Sequence, residues 1–122
     1  MTLRTKVFLG LLVALLMKQA SATQLYVTTE LLRTITTGDD KYGGCMFEPS
    51  ISLISEGLDC QPGGWISLDC AGIFGTQNAG QRRWDAVVLA EMLNKKVEVR
   101  VDDSKKIDRY CVAERVKTVS SE

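Results

Sequence analysis

The feature that most constrains the fold of this chain is its four cysteines, Cys45, Cys60, Cys70 and Cys111. All four lie within the last 100 of its 122 residues. An even number of cysteines in so short a segment is typical of a disulfide framework in an exported domain. A zinc site with four thiolates is the rival interpretation, but the chain contains no C-x-x-C pair. We therefore expect two disulfide bonds and no free thiol.

The start of the chain predicts export. A basic beginning precedes an apolar run over residues 7–17, and a small-residue cleavage motif ends at Ala22. That run is too short to cross a bilayer. We expect residues 1–22 to be a signal peptide and residues 23–122 to be a single small domain. This mature form would be secreted or periplasmic, with no membrane span.

Composition excludes several function classes. Residues 23–122 carry 12 basic and 15 acidic residues, a net charge of about −3, which disfavours a nucleic-acid partner. The chain has no histidine, so serine and cysteine nucleophile systems that depend on histidine are excluded. No motif indicates a cofactor or a metal. We expect a protein that is not an enzyme.

Periodicity predicts short strands around one helix. Val97, Val99 and Val101 alternate with charged residues, the pattern of a half-buried strand, and Asp102–Lys106 then has the composition of a turn. A helix should run from Asn78, which can cap it, to about Leu93. Strands are expected over residues 24–37, 45–55, 65–70, 97–101 and 110–119.

This order of elements predicts a mostly β protein of the α+β class. Five strands with a helix between the third and the fourth match an OB-like small barrel. An α+β roll with the same order is the alternative.

The expected strands favour one disulfide pairing. A Cys45–Cys60 bond would close a hairpin, and a Cys70–Cys111 bond would join the end of the third strand to the start of the last. Each should contribute roughly 3–4 kcal/mol by the loop-entropy model. The other two pairings of four cysteines stay open.

Three residues are candidates for binding. Trp65 follows a rigid Pro-Gly-Gly turn and could stack on a sugar or a partner side chain, or it could cover the edge of the core. Arg82 and Arg83 stand near the start of the helix, where cations oppose the helix dipole. They could receive an acidic ligand or partner, or belong to a solvated face with a neighbouring ion pair.

The chain also resembles a known family. A cysteine-bearing strand, the strand after Trp65, a helix carrying Trp and Leu-Ala, and the run Asn-Lys-Lys-Val-Glu-Val-Arg-Val are similar to B subunits of the pertussis-like and subtilase-type AB5 toxins. The resemblance covers residues 45–116 and implies an OB-fold that binds host glycans as a pentamer. None of that family's sugar-contacting residues can be placed on this sequence. Small exported proteins of Gram-negative bacteria share the layout Leu-Asp-Cys, Val-Asp-Asp-Ser-Lys-Lys and Tyr-Cys-Val.

These observations predict an exported binding module. Its partner would be a glycan or a protein, and the module could be a homo-oligomer. The alternatives are an exported inhibitor of a lysozyme or protease, with the turn before Trp65 as the inserting element, and a structural protein of the envelope.

Overall fold

The structure, a computed structural model, describes residues 23–119. The expected signal peptide and residues 120–122 lie outside this range. In chain order the elements are β1 (Gln24–Thr29), β2 (Leu31–Thr36), a 3-10 turn (Lys41–Gly43), β3 (Cys45–Pro49), β4 (Ile66–Ser67), α1 (Gln77–Met92), β5 (Val97–Ile107) and β6 (Tyr110–Thr118). The described part of the chain is mostly β with one α-helix, which confirms the coarse fold class.

The six strands within residues 23–119 belong to one mixed sheet, in the order β1-β5-β6-β4-β3-β2. Neighbouring strands are antiparallel except β4 and β6, which run parallel where Ser67 meets Val112. The edge strands β1 and β2 are consecutive in the sequence, and only Glu30 separates them. Because the chain passes from one edge of the sheet to the other within one residue, the two edges lie together at Glu30.

Ser50, just after β3, forms hydrogen bonds with the residues that join β1 to β2. Its N–H lies 2.9 Å from Thr29 Oγ1 and 3.1 Å from the carbonyl oxygen of Glu30. Its Oγ accepts the N–H of Glu30 at 3.2 Å. No strand ladder pairs β1 with β2 within residues 23–119, so the sheet is open.

The expectation of a five-stranded barrel is therefore wrong, since six strands form an open sheet in the described part of the chain. The extra strand arises because the segment 24–37, expected to be one strand, changes partner at Glu30. Val27 of β1 lies opposite Val99, whereas Thr34 of β2 lies opposite Phe47. Both halves have strand character, so periodicity along the chain cannot reveal the change of partner.

The helix begins slightly earlier than expected. Thr76 caps it, since its Oγ1 accepts the N–H of Ala79 at 3.1 Å, and Asn78 lies inside the first turn. The helix ends at Met92. The residues it buries are Gly80, Val87 and Ala90.

The expected turn at 102–106 is instead part of β5. The carboxylate of Asp102 is buried and accepts the N–H and the hydroxyl of Ser104, at 2.9 and 2.6 Å. The chain turns later, at Asp108 and Arg109, whose φ angles are 51° and 78°. Two successive left-handed residues suit the twist of an antiparallel hairpin.

The core lies between the sheet and the helix. Val97, Val99 and Val101 are all 0 % exposed, which confirms the alternation expected for this strand. Leu53 and Leu58 come from the long loop after β3, so this loop is part of the core and not an appendage. Other members are Val27, Phe47, Ile66, Leu68, Val87, Ala90 and Ala113.

Two disulfide bonds are present, Cys45–Cys70 and Cys60–Cys111, and no cysteine of the described residues is free. The bonds confirm the disulfide framework, whereas the favoured pairing is wrong. Cys45 meets Cys70 because β3 pairs with β4, and the carbonyl of Cys45 accepts the N–H of Leu68 at 3.1 Å. Two disulfide bonds fit an oxidising compartment outside the cytoplasm.

Candidate functional site

Trp65 lies directly before β4 and is partly covered. The guanidinium carbon of Arg33 lies 5.3 Å from the centroid of the Trp65 ring, a cation–π contact. Nη2 of Arg33 also donates to Oε2 of Glu48 at 2.7 Å. This hydrogen bond raises the pKa of Arg33. One face of the indole is therefore occupied by Arg33 and not open for stacking on a sugar.

Glu48, but neither Arg33 nor Trp65, lines a groove of about 370 Å³, which we call the turn groove. One wall is residues 48–54, at the end of β3 and the start of the following loop. Leu32 of β2 and the turn Gln61–Gly64 complete the lining. The volume is at the lower end of the ~300–1,000 Å³ typical of small-molecule sites.

Apolar surface in the turn groove comes from a β-bulge and a loop. The register between β2 and β3 shifts between Leu31 and Arg33, so Leu32 has no opposite residue on β3. Leu32 is 54 % exposed, and Ile54 on the facing loop is 52 % exposed. The bulge thus places an aliphatic side chain at the groove instead of in the core.

The turn that forms the other wall is held in place locally. The N–H of Gly64 donates to the carbonyl of Gln61 at 3.2 Å. Gly63 and Gly64 have φ angles of 112° and 76°, which other residues rarely adopt. Cys60, immediately before the turn, is bonded to Cys111 on β6. The wall is consequently anchored to the sheet before any ligand arrives.

Glu48 supplies the charge of the turn groove. Its Oε2 is taken by Arg33, whereas Oε1 has no hydrogen-bond partner within residues 23–119. The side chain is 18 % exposed, so this oxygen is accessible to a ligand. An ionised carboxylate oxygen accepts two hydrogen bonds, which gives Glu48 unused acceptor capacity at the groove.

The two arginines lie elsewhere. Arg82 is exposed and lines neither the turn groove nor the cleft beside Arg83. Arg83 is half-buried, and its Nε donates to the carbonyl of Leu68 at 3.0 Å. Burial lowers the pKa of Arg83, while Asp69 and Glu114 act in the opposite direction. The structure therefore does not bring Trp65, Arg82 and Arg83 together in one site.

Sequence reasoning missed Arg33 and Glu48, the partners of Trp65. They lie 15 positions apart, and they meet because they are opposite each other in the β2–β3 ladder. Opposite charges on neighbouring strands are a usable signal once the register is known. Here the bulge at Leu32 shifts the register and hides that signal.

No group of three or more histidine, cysteine, aspartate or glutamate residues within residues 23–119 is arranged to hold a metal ion. No helix in the same range has the length and apolar character needed to cross a membrane. Comparisons with models of protein families, with curated proteins and with solved structures find no match to the chain. The resemblance to toxin B subunits therefore stays a prediction.

Proposed function

We propose that this protein is an exported, non-enzymatic binding module that recognises a glycan in the turn groove. The observation that carries the proposal is the half-engaged carboxylate of Glu48. Arg33 fixes one oxygen at 2.7 Å and leaves the other to accept hydrogen bonds. A sugar offers adjacent hydroxyl donors, and a pre-oriented carboxylate oxygen can accept from two of them.

The rest of the turn groove suits the same ligand class. The amide of Gln61 can both donate to and accept from hydroxyls. Leu32 and Ile54 offer exposed aliphatic surface for the C–H face of a sugar ring. Trp65 acts indirectly in this proposal, because it holds Arg33, which in turn orients Glu48.

Glycan binding by the purified exported protein tests the proposal. A glycan array should give hits, and Glu48→Gln should weaken them at least about tenfold, since a hydrogen bond to a charged group contributes about 1.5–3 kcal/mol. Glu56→Gln is the matched control, because Glu56 is exposed and does not line the groove. A blank array, or equal binding by both variants, would refute glycan recognition at this groove.

The proposal extends to self-association of the toxin B-subunit kind. Light scattering on the exported protein should then give a homo-oligomer, with five copies in the toxin-like version. If the protein is a monomer, the toxin-like version is excluded, but the proposal of glycan binding is not.

A second candidate is inhibition of a lysozyme or a protease by the Gln61–Gly64 turn. It is favoured by the exposure of Pro62 and Gly63 at the tip of a turn that the Cys60–Cys111 bond anchors. Activity assays with a lysozyme and a serine protease decide it, using wild type and Trp65→Ala. Inhibition that Trp65→Ala leaves unchanged would exclude Trp65 from the contact.

Export is part of the proposal. The two disulfide bonds support passage through an oxidising compartment. Fractionation should find the protein in the periplasm or the medium, with Thr23 as its first residue. Recovery of a reduced cytoplasmic form that retains residues 1–22 would contradict this.

A further inference from the structure

A second cleft, of about 290 Å³, surrounds Arg83, and we call it the Arg83 cleft. Its lining combines the loop after β4, helix α1, β5 and β6. The residues used below are Asp69, Phe74, Arg83, Lys105 and Glu114. None of them lines the turn groove, so the two clefts are separate sites.

Arg83 is held by one nitrogen only. Its Nε donates to the carbonyl of Leu68, and its two terminal nitrogens have no hydrogen-bond partner among residues 23–119. No buried side-chain nitrogen in that range lacks a partner, so these two nitrogens are solvent-accessible. They form the edge of the guanidinium that pairs with two oxygens of one carboxylate.

Both carboxylates near Arg83 are engaged elsewhere. Asp69 accepts the backbone N–H groups of Ile73 and Phe74 at 2.7 and 2.9 Å. Glu114 pairs with Lys105 at 2.6 Å and with Arg100 at 3.4 Å. Burial lowers the pKa of Arg83, as expected for a cation that has lost water without gaining a bidentate partner.

Phe74 adds an aromatic wall beside this guanidinium. It is 46 % exposed, and two hydrogen bonds to Asp69 hold the backbone of its loop. A backbone that is already fixed lowers the entropy cost of binding a flat or apolar group. Phe74 and Arg83 thus present one apolar and one cationic contact in the same cleft.

We propose that the Arg83 cleft binds a small molecule with a carboxylate on a planar or apolar group. The carboxylate pairs with the terminal nitrogens of Arg83, and the attached group packs on Phe74. A rigid guanidinium fork matches the two coplanar oxygens of a carboxylate. Benzoate is the simplest probe of this class, and benzamide is its neutral counterpart.

NMR titration of the ¹⁵N-labelled exported protein tests the assignment. Benzoate should shift the amides of Phe74 and Ala113 and the Nε–H of Arg83 saturably, whereas benzamide should not. Saturable binding of inorganic phosphate without benzoate binding would overturn the carboxylate class. Equal shifts with benzamide would overturn the role of the charge.

Matched variants locate the contact. Arg83→Lys should weaken benzoate at least about fivefold, since lysine lacks the bidentate fork, and Arg82→Lys should leave it unchanged. If Arg83→Lys fails to fold, Phe74→Ala tests the cleft instead. Because Phe74 is exposed, this variant should fold, and it should bind benzoate more weakly. Unchanged binding in Phe74→Ala or in a folded Arg83→Lys refutes the proposal. Glu48→Gln should bind benzoate normally, which separates this result from that for the turn groove.

Discussion

Replacing Gly80 by alanine should destabilise the protein, although the same change stabilises most helices. Gly80 lies in the first turns of α1, where alanine has a propensity advantage of about 1 kcal/mol. A Cβ at this position would lie 2.0 Å from the carbonyl oxygen of Asp69 and 2.8 Å from Cα of Cys70. Both neighbours are backbone atoms, and real Cβ contacts shorter than 3.0 Å essentially never occur.

The size of the stability loss depends on which segment can move to relieve the contact. Cys70 is bonded to Cys45, so the loop cannot retreat without straining β3, and the helix must shift instead. Overpacking of this kind costs about 1–3 kcal/mol, occasionally more. A contact this close lies at the upper end, so after the propensity gain we expect a net loss of about 2 kcal/mol. For a domain of this size the melting temperature should fall by about 10 °C.

Urea unfolding of wild type, Gly80→Ala and Gly75→Ala measures the effect. Gly75 is the matched control, because a Cβ there meets nothing within 4 Å and its φ is not in the left-handed region. Gly75→Ala should be neutral or slightly stabilising. A Gly80→Ala protein as stable as wild type would show that the helix does not pack on Asp69 as described.

Three further changes have defined outcomes. Full reduction should lower the free energy of unfolding by about 3.5 kcal/mol for the loss of Cys45–Cys70 and by about 4 kcal/mol for the loss of Cys60–Cys111, since their sequence separations are 25 and 51. An unchanged melting temperature would refute this. Hydrogen bonding from Ser104 lowers the pKa of Asp102, so its contribution to stability is complete above the unfolded value near 3.8 and is lost as the pH falls through the folded pKa. Asp102→Asn should flatten that part of the acid unfolding curve, and an identical curve would contradict the assignment. In proteins that both carry Trp84→Phe, Arg33→Ala should increase the acrylamide quenching of Trp65 fluorescence. No increase would mean that Arg33 does not cover the ring.

Local patterns predicted what depends on neighbouring residues. The alternation of Val97, Val99 and Val101 placed a buried strand correctly, and the helix was located to within one or two residues. The oxidised state of the cysteines was also predicted, from their even number and from the expected signal peptide. The strand and the helix are set by contacts that recur within a few positions of the chain.

The same reasoning failed to predict which distant segments pair. The partner change at Glu30 and the choice of Cys70 for Cys45 depend on which strands become neighbours in the sheet, and neither leaves a periodic signal. Asp102 shows that local composition can also give a wrong prediction. Asp-Asp-Ser has turn composition, but the carboxylate is satisfied by Ser104 inside a strand, so β5 continues to Ile107.

The residues that surround Arg83 were missed for a related reason, which Asp69 makes clear. It is a fully buried carboxylate with a φ of 57°, a backbone conformation that costs a non-glycine residue energy. Its side chain offsets that cost by accepting two loop N–H groups, and this fixes Phe74. Its carbonyl oxygen faces Gly80, and this close approach sets how near the helix brings Arg83 to the loop. One strained residue thus determines both walls of the Arg83 cleft, and only the folded arrangement of loop and helix reveals that role.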